Sequence, residues 1–505
     1  MLFNSINFLV FLVVVITTYY IVKPKLRWVV LLLASYYFYM SWNPAFIILI
    51  AFSTLIDFWA GLKIHSSTGK KIKRKFLIIS LVSNLGLLFF FKYFNFFLDS
   101  VNDLPIISDS KFELYDILLP VGISFYTFQT LSYSIDIYRG KIKPINHLGE
   151  FALFVTFFPQ LVAGPIERAS SLIPQLRNLG KITADKLEVA LVQIVWGFFM
   201  KIVIADNLSI VVDQAYSNYE TLSGFRLIIP MFLFSFQIYA DFAGYSLIAL
   251  GLAKFFGVHL MTNFRSPYMS SSLTEFWSRW HISLSSWFKD YLYFQLGGSK
   301  VSKLKITRNI LIVFLISGLW HGAAWTFIIW GLIHAVILIL EKNIKFNIIP
   351  TNKYLKAVLN LIRISSTFTI VTIAWVFFRA KTLDQALIFL QRSTQDITSQ
   401  LADIAWILKA FITRTNNVNS NYFARWFEKE FPVNALPSIE FLFVTGFLSI
   451  GILSLYDFKW KNESVADWLV EKSQFFKVAF VSVVCSMIFF LGQFTSENQF
   501  IYFQF

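Results

Sequence analysis

Apolar stretches long enough to cross the hydrocarbon core of a bilayer, about 20 residues each, recur in this chain from Leu2 almost to its C-terminus. A run of that length spans as a helix, because every backbone N–H and C=O must be satisfied within the segment once water is excluded. Of the 505 residues, 56% are hydrophobic and only 14% charged. A soluble domain carries about a quarter charged residues, so the excess apolar surface has to face lipid. The expected architecture is all-α: a polytopic integral membrane protein forming one membrane domain over residues 1–505.

The formal charge of +15 does not point to nucleic acid, because Lys and Arg cluster in short loops between apolar spans and no basic soluble module exists to carry such a partner. The first span, residues 2–22, begins without a basic region and is followed by no small-residue cleavage site, so it reads as a retained helix. A basic loop with Lys23, Lys25 and Arg27 follows it. The next apolar stretch is interrupted at Trp42, Asn43 and Pro44, which predicts two spans joined by a tight turn before the loop of Lys70, Lys71, Lys73, Arg74 and Lys75. A span over 76–98 then leads to a loop holding Asp99, Asp103, Asp109, Glu113 and Asp116 against Lys111 alone. A return span over 117–137 ends at Arg139, Lys141 and Lys143. The positive-inside rule makes the basic loops cytoplasmic and the N-terminus extracytoplasmic. Further apolar stretches lie at 151–163, 187–212, 225–256, 309–340, 359–378, 439–455 and 475–491, which predicts about 11 crossings with some re-entrant or interfacial helices. The more polar stretch 382–437, with Thr394, Gln395, Asp396, Asn416, Asn417 and Asn419, predicts a loop with surface helices.

Chemistry concentrates in the middle of the chain. The segment from Phe276 to Tyr293 places Trp277, Trp280, His281, Leu284, Trp287, Phe288 and Tyr291 at helical spacing on one face, with Arg279, Ser283, Ser286 and Asp290 mostly on the other. On position alone, His281 is equally a buried histidine bonded to a backbone carbonyl. The second segment, Ser317-Gly-Leu-Trp-His-Gly-Ala-Ala-Trp-Thr326, sets His321 near the middle of the stretch 309–340, where an ionisable group is costly and marks function by default. Gly318, Gly322 and Ala324 remove volume around it, while Trp320 and Trp325 supply flat walls, as for a ligand channel; the alternative is close helix packing. Acyl transfer from a thioester to a hydroxyl requires a base and a group that stabilises the oxyanion, and a histidine both takes and returns the proton. His334 follows His321 by 13 positions, about 20 Å along a single helix.

Other chemistries lack their motifs. No Gly-x-Ser-x-Gly elbow, His-Glu-x-x-His run or Walker loop occurs. The lone cysteine, Cys485, excludes an internal disulfide framework and a Cys-based zinc site, and its apolar setting predicts a small buried hydrophobe. His65, His147 and His259 read as surface residues, and no metal site is expected.

Six segments together resemble the alginate O-acetyltransferase branch of the membrane-bound O-acyltransferase (MBOAT) family. They are Met1-Leu-Phe-Asn-Ser5, Phe158-Pro-Gln-Leu-Val-Ala-Gly-Pro-Ile-Glu-Arg168, Asp241-Phe-Ala-Gly-Tyr-Ser246, Asn263-Phe-Arg-Ser-Pro-Tyr268, Phe276-Trp-Ser-Arg-Trp-His281 and Gly318-Leu-Trp-His-Gly322. The resemblance implies an MBOAT fold with its core motifs at about 118–340, curved around a thin centre. It also implies His321 as the catalytic histidine and His281 as the second characteristic polar position; Trp280, Trp320, Gly322 and Trp325 are expected along the substrate channel beside them. The branch often carries an acid after Gly-Tyr-Ser, and here Leu247 stands in its place.

By the same resemblance, the chain sits in a bacterial cytoplasmic membrane and moves an acetyl group to an extracytoplasmic polysaccharide. The donor is acetyl-CoA or another acyl thioester, facing basic loops that include Lys289, Lys300, Lys303, Lys305 and Arg308. Members of this kind often work with an SGNH-type partner. D-alanyl transfer to teichoic acid is the alternative within the family, and a transporter or flippase without acyl chemistry is the alternative outside it.

Overall fold

A computed structural model describes residues 1, 3–105, 111–162, 164–344, 352–402, 439–459, 464–494 and 500–501 of the chain. Helices α1 (Ile6–Ile21), α2 (Arg27–Met40) and α3 (Phe46–Ser66) form the N-terminal arm, and the break between α2 and α3 falls at Trp42 to Pro44 as expected. Helix α4 (Lys70–Leu88) passes through a π turn at Phe89–Tyr93 into α5 (Phe94–Asn102). Then come α6 (Ile123–Tyr138), α7 (Leu148–Thr156), α8 (Phe158–Leu161) and α9 (Ala169–Arg177). A second long rod joins α10 (Ala184–Phe198), a π turn at Phe199–Ala205 and α11 (Asp206–Ser217). Helix α12 (Phe225–Phe255) lies along that rod, where a Cβ on Gly244 would stand 2.7 Å from the Gly197 carbonyl, so glycine permits the close crossing. The site region follows as α13 (Leu273–Arg279), α14 (Ile282–Phe288), α15 (Lys303–His321), α16 (Trp325–Asn343) and α17 (Lys353–Arg379). Helices α18 (Leu383–Ser393), α19 (Ile439–Lys459), α20 (Val465–Val470) and α21 (Gln474–Leu491) complete the described elements, among which there is no strand.

Eight helices or continuous helical runs among the described residues are long and apolar enough to cross a membrane, and the chain is a multi-pass membrane protein. Two expected crossings take another form. The span expected over 117–137 is helical only from Ile123, because the chain enters past Pro120 and through Gly122 at φ 77°. The stretch 151–163 divides into the short helices α7 and α8, and its apolar residues from Phe151 to Val162 are buried inside the protein rather than exposed to lipid. The stretch 309–340 folds as two helices, α15 and α16. Cys485, expected to be buried, is exposed on α21. In the polar stretch, α18 is packed rather than superficial: Phe389 is fully buried with its ring 4.5 Å from Tyr216. Residues 403–438, including Asn416, Asn417 and Asn419, lie outside the described residues.

Three apolar clusters divide the interior, and α12 is shared by two of them. Its first half, from Leu227 to Tyr239, packs with α10, α11, α17 and the C-terminal helices. Its second half, from Tyr245 to Ala253, packs with the N-terminal arm and α7 to α9. A smaller cluster joins Phe128 of α6, Trp287 of α14 and Trp320 of α15. The candidate site lies where the three meet.

Candidate active site

Helix α15 ends at His321 and α16 begins at Trp325, so the intervening Gly322-Ala-Ala324 closes a hairpin. A Cβ at Gly318 would collide with the Phe327 carbonyl, one at Gly331 with the Phe314 carbonyl, and one at Gly322 with the Phe327 ring. The small residues around His321 therefore serve close packing, and Phe327 fills the space expected for a ligand at Gly322. The hairpin also overturns the expected separation of His334 from His321: both rings rest on Trp330, at 4.8 and 5.1 Å.

Lys92 fixes the end of α15. Its Nζ donates to the carbonyls of Trp320 (2.8 Å) and His321 (3.0 Å), satisfying two acceptors that have no partner within the helix and placing a cation at its negative end. The π turn at Phe89–Tyr93 carries Lys92, and such turns recur at functional sites.

His281 arrives by another route. The segment 276–293 is not one helix, because α13 stops at Arg279, α14 starts at Ile282 and His281 sits between them at φ 43°. A left-handed residue with a side chain costs on the order of 1–3 kcal/mol and persists only where its surroundings impose it. The imposing element is the irregular segment 263–266. The Ile282 N–H donates to the Asn263 carbonyl (2.9 Å), and the Arg265 N–H donates to the Arg279 carbonyl (3.0 Å). Asn263 is in turn tied to α12, its Nδ2 donating to Ser246 Oγ at 3.0 Å.

This break turns His281 inward, fully buried, with Phe242 edge-on at 4.6 Å and the His321 ring 6.3 Å away. Trp320 flanks both imidazoles, at 6.1 and 4.9 Å, and Phe378 meets His321 at 5.3 Å. Among the described residues, the indole N–H groups of Trp320 and Trp330 are buried without an acceptor. Trp280 lies behind this group, packed between Phe264 (5.0 Å) and Trp375 (5.1 Å). Trp325 does not join it: the side chain is 51% exposed, against Phe96 at 5.7 Å.

Two cavities lie on opposite faces, one lined by His321 and the other by the Asn263 strap that holds the His281 turn. The ends of α1, α9 and α12 gather on the basic face, where Tyr20 Oη donates to the Phe255 carbonyl (2.7 Å) and Arg27 reaches the Leu179 carbonyl (3.4 Å). A cavity of about 300 Å³ lies beside them, lined by Lys254, His259, Arg265 and Leu247, with Ser246 and Asn263 beneath the His281 turn. The residue that departs from the family pattern, Leu247, is thus a piece of apolar wall. Partial burial, with Lys186 and Lys254 nearby, holds the His259 imidazole below its usual range. The other cavity, about 70 Å³, is lined by Lys92, residues 119–125, Trp320 and His321. Helix α6 begins there and ends at Tyr138 beside the basic loop, about 24 Å farther along its axis, so this cavity belongs to the opposite face. Lys289, Lys300, Lys303, Lys305 and Arg308, expected to face a donor, line neither.

Other motif residues brace the site. Asp241 pairs with the buried Lys201 at 2.7 Å, and Asp206 joins the same ammonium at 2.8 Å. Glu167 accepts the Met261 N–H at 2.5 Å and so holds the segment leading into Asn263; burial pushes its carboxyl up to about 7, against the opposing pull of that N–H and of Arg168. No group of three His, Cys, Asp or Glu residues among those described is placed to hold a metal. Sequence reasoning missed Lys92, Asn263 and Trp330 as site residues. For Lys92 a signal was present, since a lone lysine inside an apolar span marks function by the rule that flagged His321.

The chain matches the model of the MBOAT, membrane-bound O-acyltransferase family over residues 145–381. It is 41% identical over 389 residues to the probable alginate O-acetylase AlgI of Pseudomonas aeruginosa, covering 76% of this chain and 73% of that one. It is 37% identical over 420 residues to the peptidoglycan O-acetyltransferase of Helicobacter pylori, covering 78% of each. A teichoic acid D-alanyltransferase of Streptococcus thermophilus is 30% identical over 285 residues, 51% of this chain and 68% of that one. The chain belongs to the membrane-bound O-acyltransferase family and is an O-acyltransferase.

Proposed function

We propose that this protein takes an acetyl group from a cytoplasmic phosphopantetheine thioester, acetyl-CoA in the simplest case, and delivers it to hydroxyls of an extracytoplasmic polysaccharide. An SGNH-type partner completes the transfer, either as a relay through its serine or by presenting the glycan. The protein lies in the bacterial cytoplasmic membrane with its basic face inside and its N-terminus outside. The observation that carries this reading is the buried His281–His321 pair, with one cavity lined by His321 itself and a second, on the other face, lined by the Asn263 that holds the His281 turn. Relatives named as alginate and peptidoglycan O-acetylating enzymes support an acetyl group and a glycan acceptor.

In this mechanism His321 takes the proton of the acceptor hydroxyl as its oxygen attacks the thioester carbonyl carbon. The donors assigned to the resulting oxyanion are the indole N–H groups of Trp320 and Trp330, buried without an acceptor among the described residues. Collapse breaks the C–S bond, and the proton on His321 passes to the departing thiolate. His281 orients His321 from beside it, with Trp320 flanking both rings.

The test is the O-acetyl content of cell-surface glycans in cells carrying wild type, His321→Ala or His281→Ala at matched membrane abundance. His321→Ala is expected to abolish the acetyl ester, and the glycan that loses it names the acceptor. Unchanged acetyl ester would sink the role given to His321, and loss of D-alanyl ester instead would move the reading to the teichoic-acid branch, which the 30% relative favours.

A further inference from the structure

The match to the family model ends at residue 381, yet the basic-face cavity is walled in part by residues far beyond it. Tyr456 of α19, together with Ser464 and Asp467 around the start of α20, lines the same space as Ser246, Asn263 and Lys254. This wall is fastened to the site. The Tyr456 ring lies 5.4 Å from Trp196, and the neighbouring Asp457 accepts a hydrogen bond from Tyr239 Oη at 2.8 Å. Tyr239 in turn packs on Trp280, the residue before His281, at 6.2 Å.

The charges around the cavity are not all of one sign. Lys254, His259 and Arg265 line it with groups suited to an anion, while Asp467 contributes a carboxylate to the same lining. Asp467 is exposed and acts electrostatically on Lys254, as does Lys186 with the opposite sign. The carboxylate accepts a hydrogen bond from Ser464 Oγ (2.6 Å), and a phosphate entering beside Lys254 competes with it for the field of that lysine.

Resting on the donor reading above, we propose that Asp467 is a specificity-determining residue: it competes with the donor's phosphates for Lys254, so that this C-terminal wall sets how tightly a phosphate-bearing thioester is held. The thioester end, near the Ser246–Asn263 floor, is not touched by this competition. Removing the carboxylate strengthens binding of phosphorylated donors and leaves a phosphate-free donor unaffected.

The test uses the full chain in lipid nanodiscs and compares two probes, acetyl-CoA and S-acetylpantetheine, which carries no phosphate. Asp467→Asn keeps the shape of the side chain and is expected to lower the Kd for acetyl-CoA about two- to fivefold at low salt, the range for one exposed charge pair, and to leave that for S-acetylpantetheine unchanged. Lys254→Gln is expected to weaken acetyl-CoA binding and to erase the effect of Asp467→Asn in the double variant. An acetyl-CoA Kd that does not fall, an equal shift with both probes, or additive effects in the double variant overturns the proposal while leaving the donor reading intact. Wild-type protein that binds neither probe removes the donor reading and the proposal with it.

Discussion

His321 ends a helix held by its own hairpin partner, whereas His281 occupies a helix break held by a segment from elsewhere in the chain. In the hairpin, glycines at 318, 322 and 331 let α15 and α16 touch, and the geometry comes from residues within the hairpin apart from the Lys92 cap. At His281 the left-handed backbone is imposed by Asn263 and Arg265, which are themselves anchored through Ser246 and the Glu167–Met261 bond. The difference separates the two histidines mechanically. One depends on local close packing, which fails abruptly when volume is added, and the other on a relay of hydrogen bonds, each worth on the order of 1 kcal/mol.

The largest expected effect tests the hairpin. Gly318→Leu drives a side chain into the Phe327 carbonyl, so glycan O-acetylation should fall more than about 100-fold at matched abundance, as the His321 backbone is pushed out of register. Near-normal acetylation by this variant would show that the hairpin does not need the close contact. An intermediate effect is expected at the strap: Asn263→Ala keeps the backbone bond to Ile282 but loses the side-chain bonds to Ser246 and to the Ser283 N–H (3.4 Å). Turnover should drop about tenfold with the apparent KM for the acyl donor nearly unchanged, because the loss falls on His281 positioning. A rise in KM alone would instead make Asn263 a donor-binding residue.

The smallest effect concerns pH. Since burial raises the Glu167 carboxyl from 4.5 to about 7, the stability it contributes is fully present below pH 4.5 and is lost as pH rises through about 7. The wild type should therefore melt a few degrees lower at pH 8 than at pH 5, and Glu167→Gln should narrow that gap. An identical gap in both proteins would detach the strap from Glu167 titration.

Much of the architecture was legible because lipid imposes a simple code. Apolar runs separated by basic loops mark helices, and Pro44 marks a break, whatever the tertiary contacts. The same code misread 151–163, where apolar residues face the protein interior, since hydrophobicity alone does not say whether the surroundings are lipid or side chain. It also missed the turn at His281. Local periodicity from Phe276 to Tyr291 fits one amphipathic helix, and the energy that breaks it comes from residues distant in sequence.

By itself the sequence determined that this chain lives in a membrane, which stretches are helical, and that a histidine beside glycines is worth attention, because those follow from transfer energy and local spacing. Only the tertiary structure decided that His334 folds back toward His321, that Trp325 points away and Phe327 fills the gap, and that Lys92 caps the helix ending at His321. It alone brought Asp467 and Lys254 into the lining of one cavity across more than 200 positions of chain. Each is a meeting of groups far apart in sequence, and where two distant groups meet is set by the packing of whole helices, which no local pattern encodes.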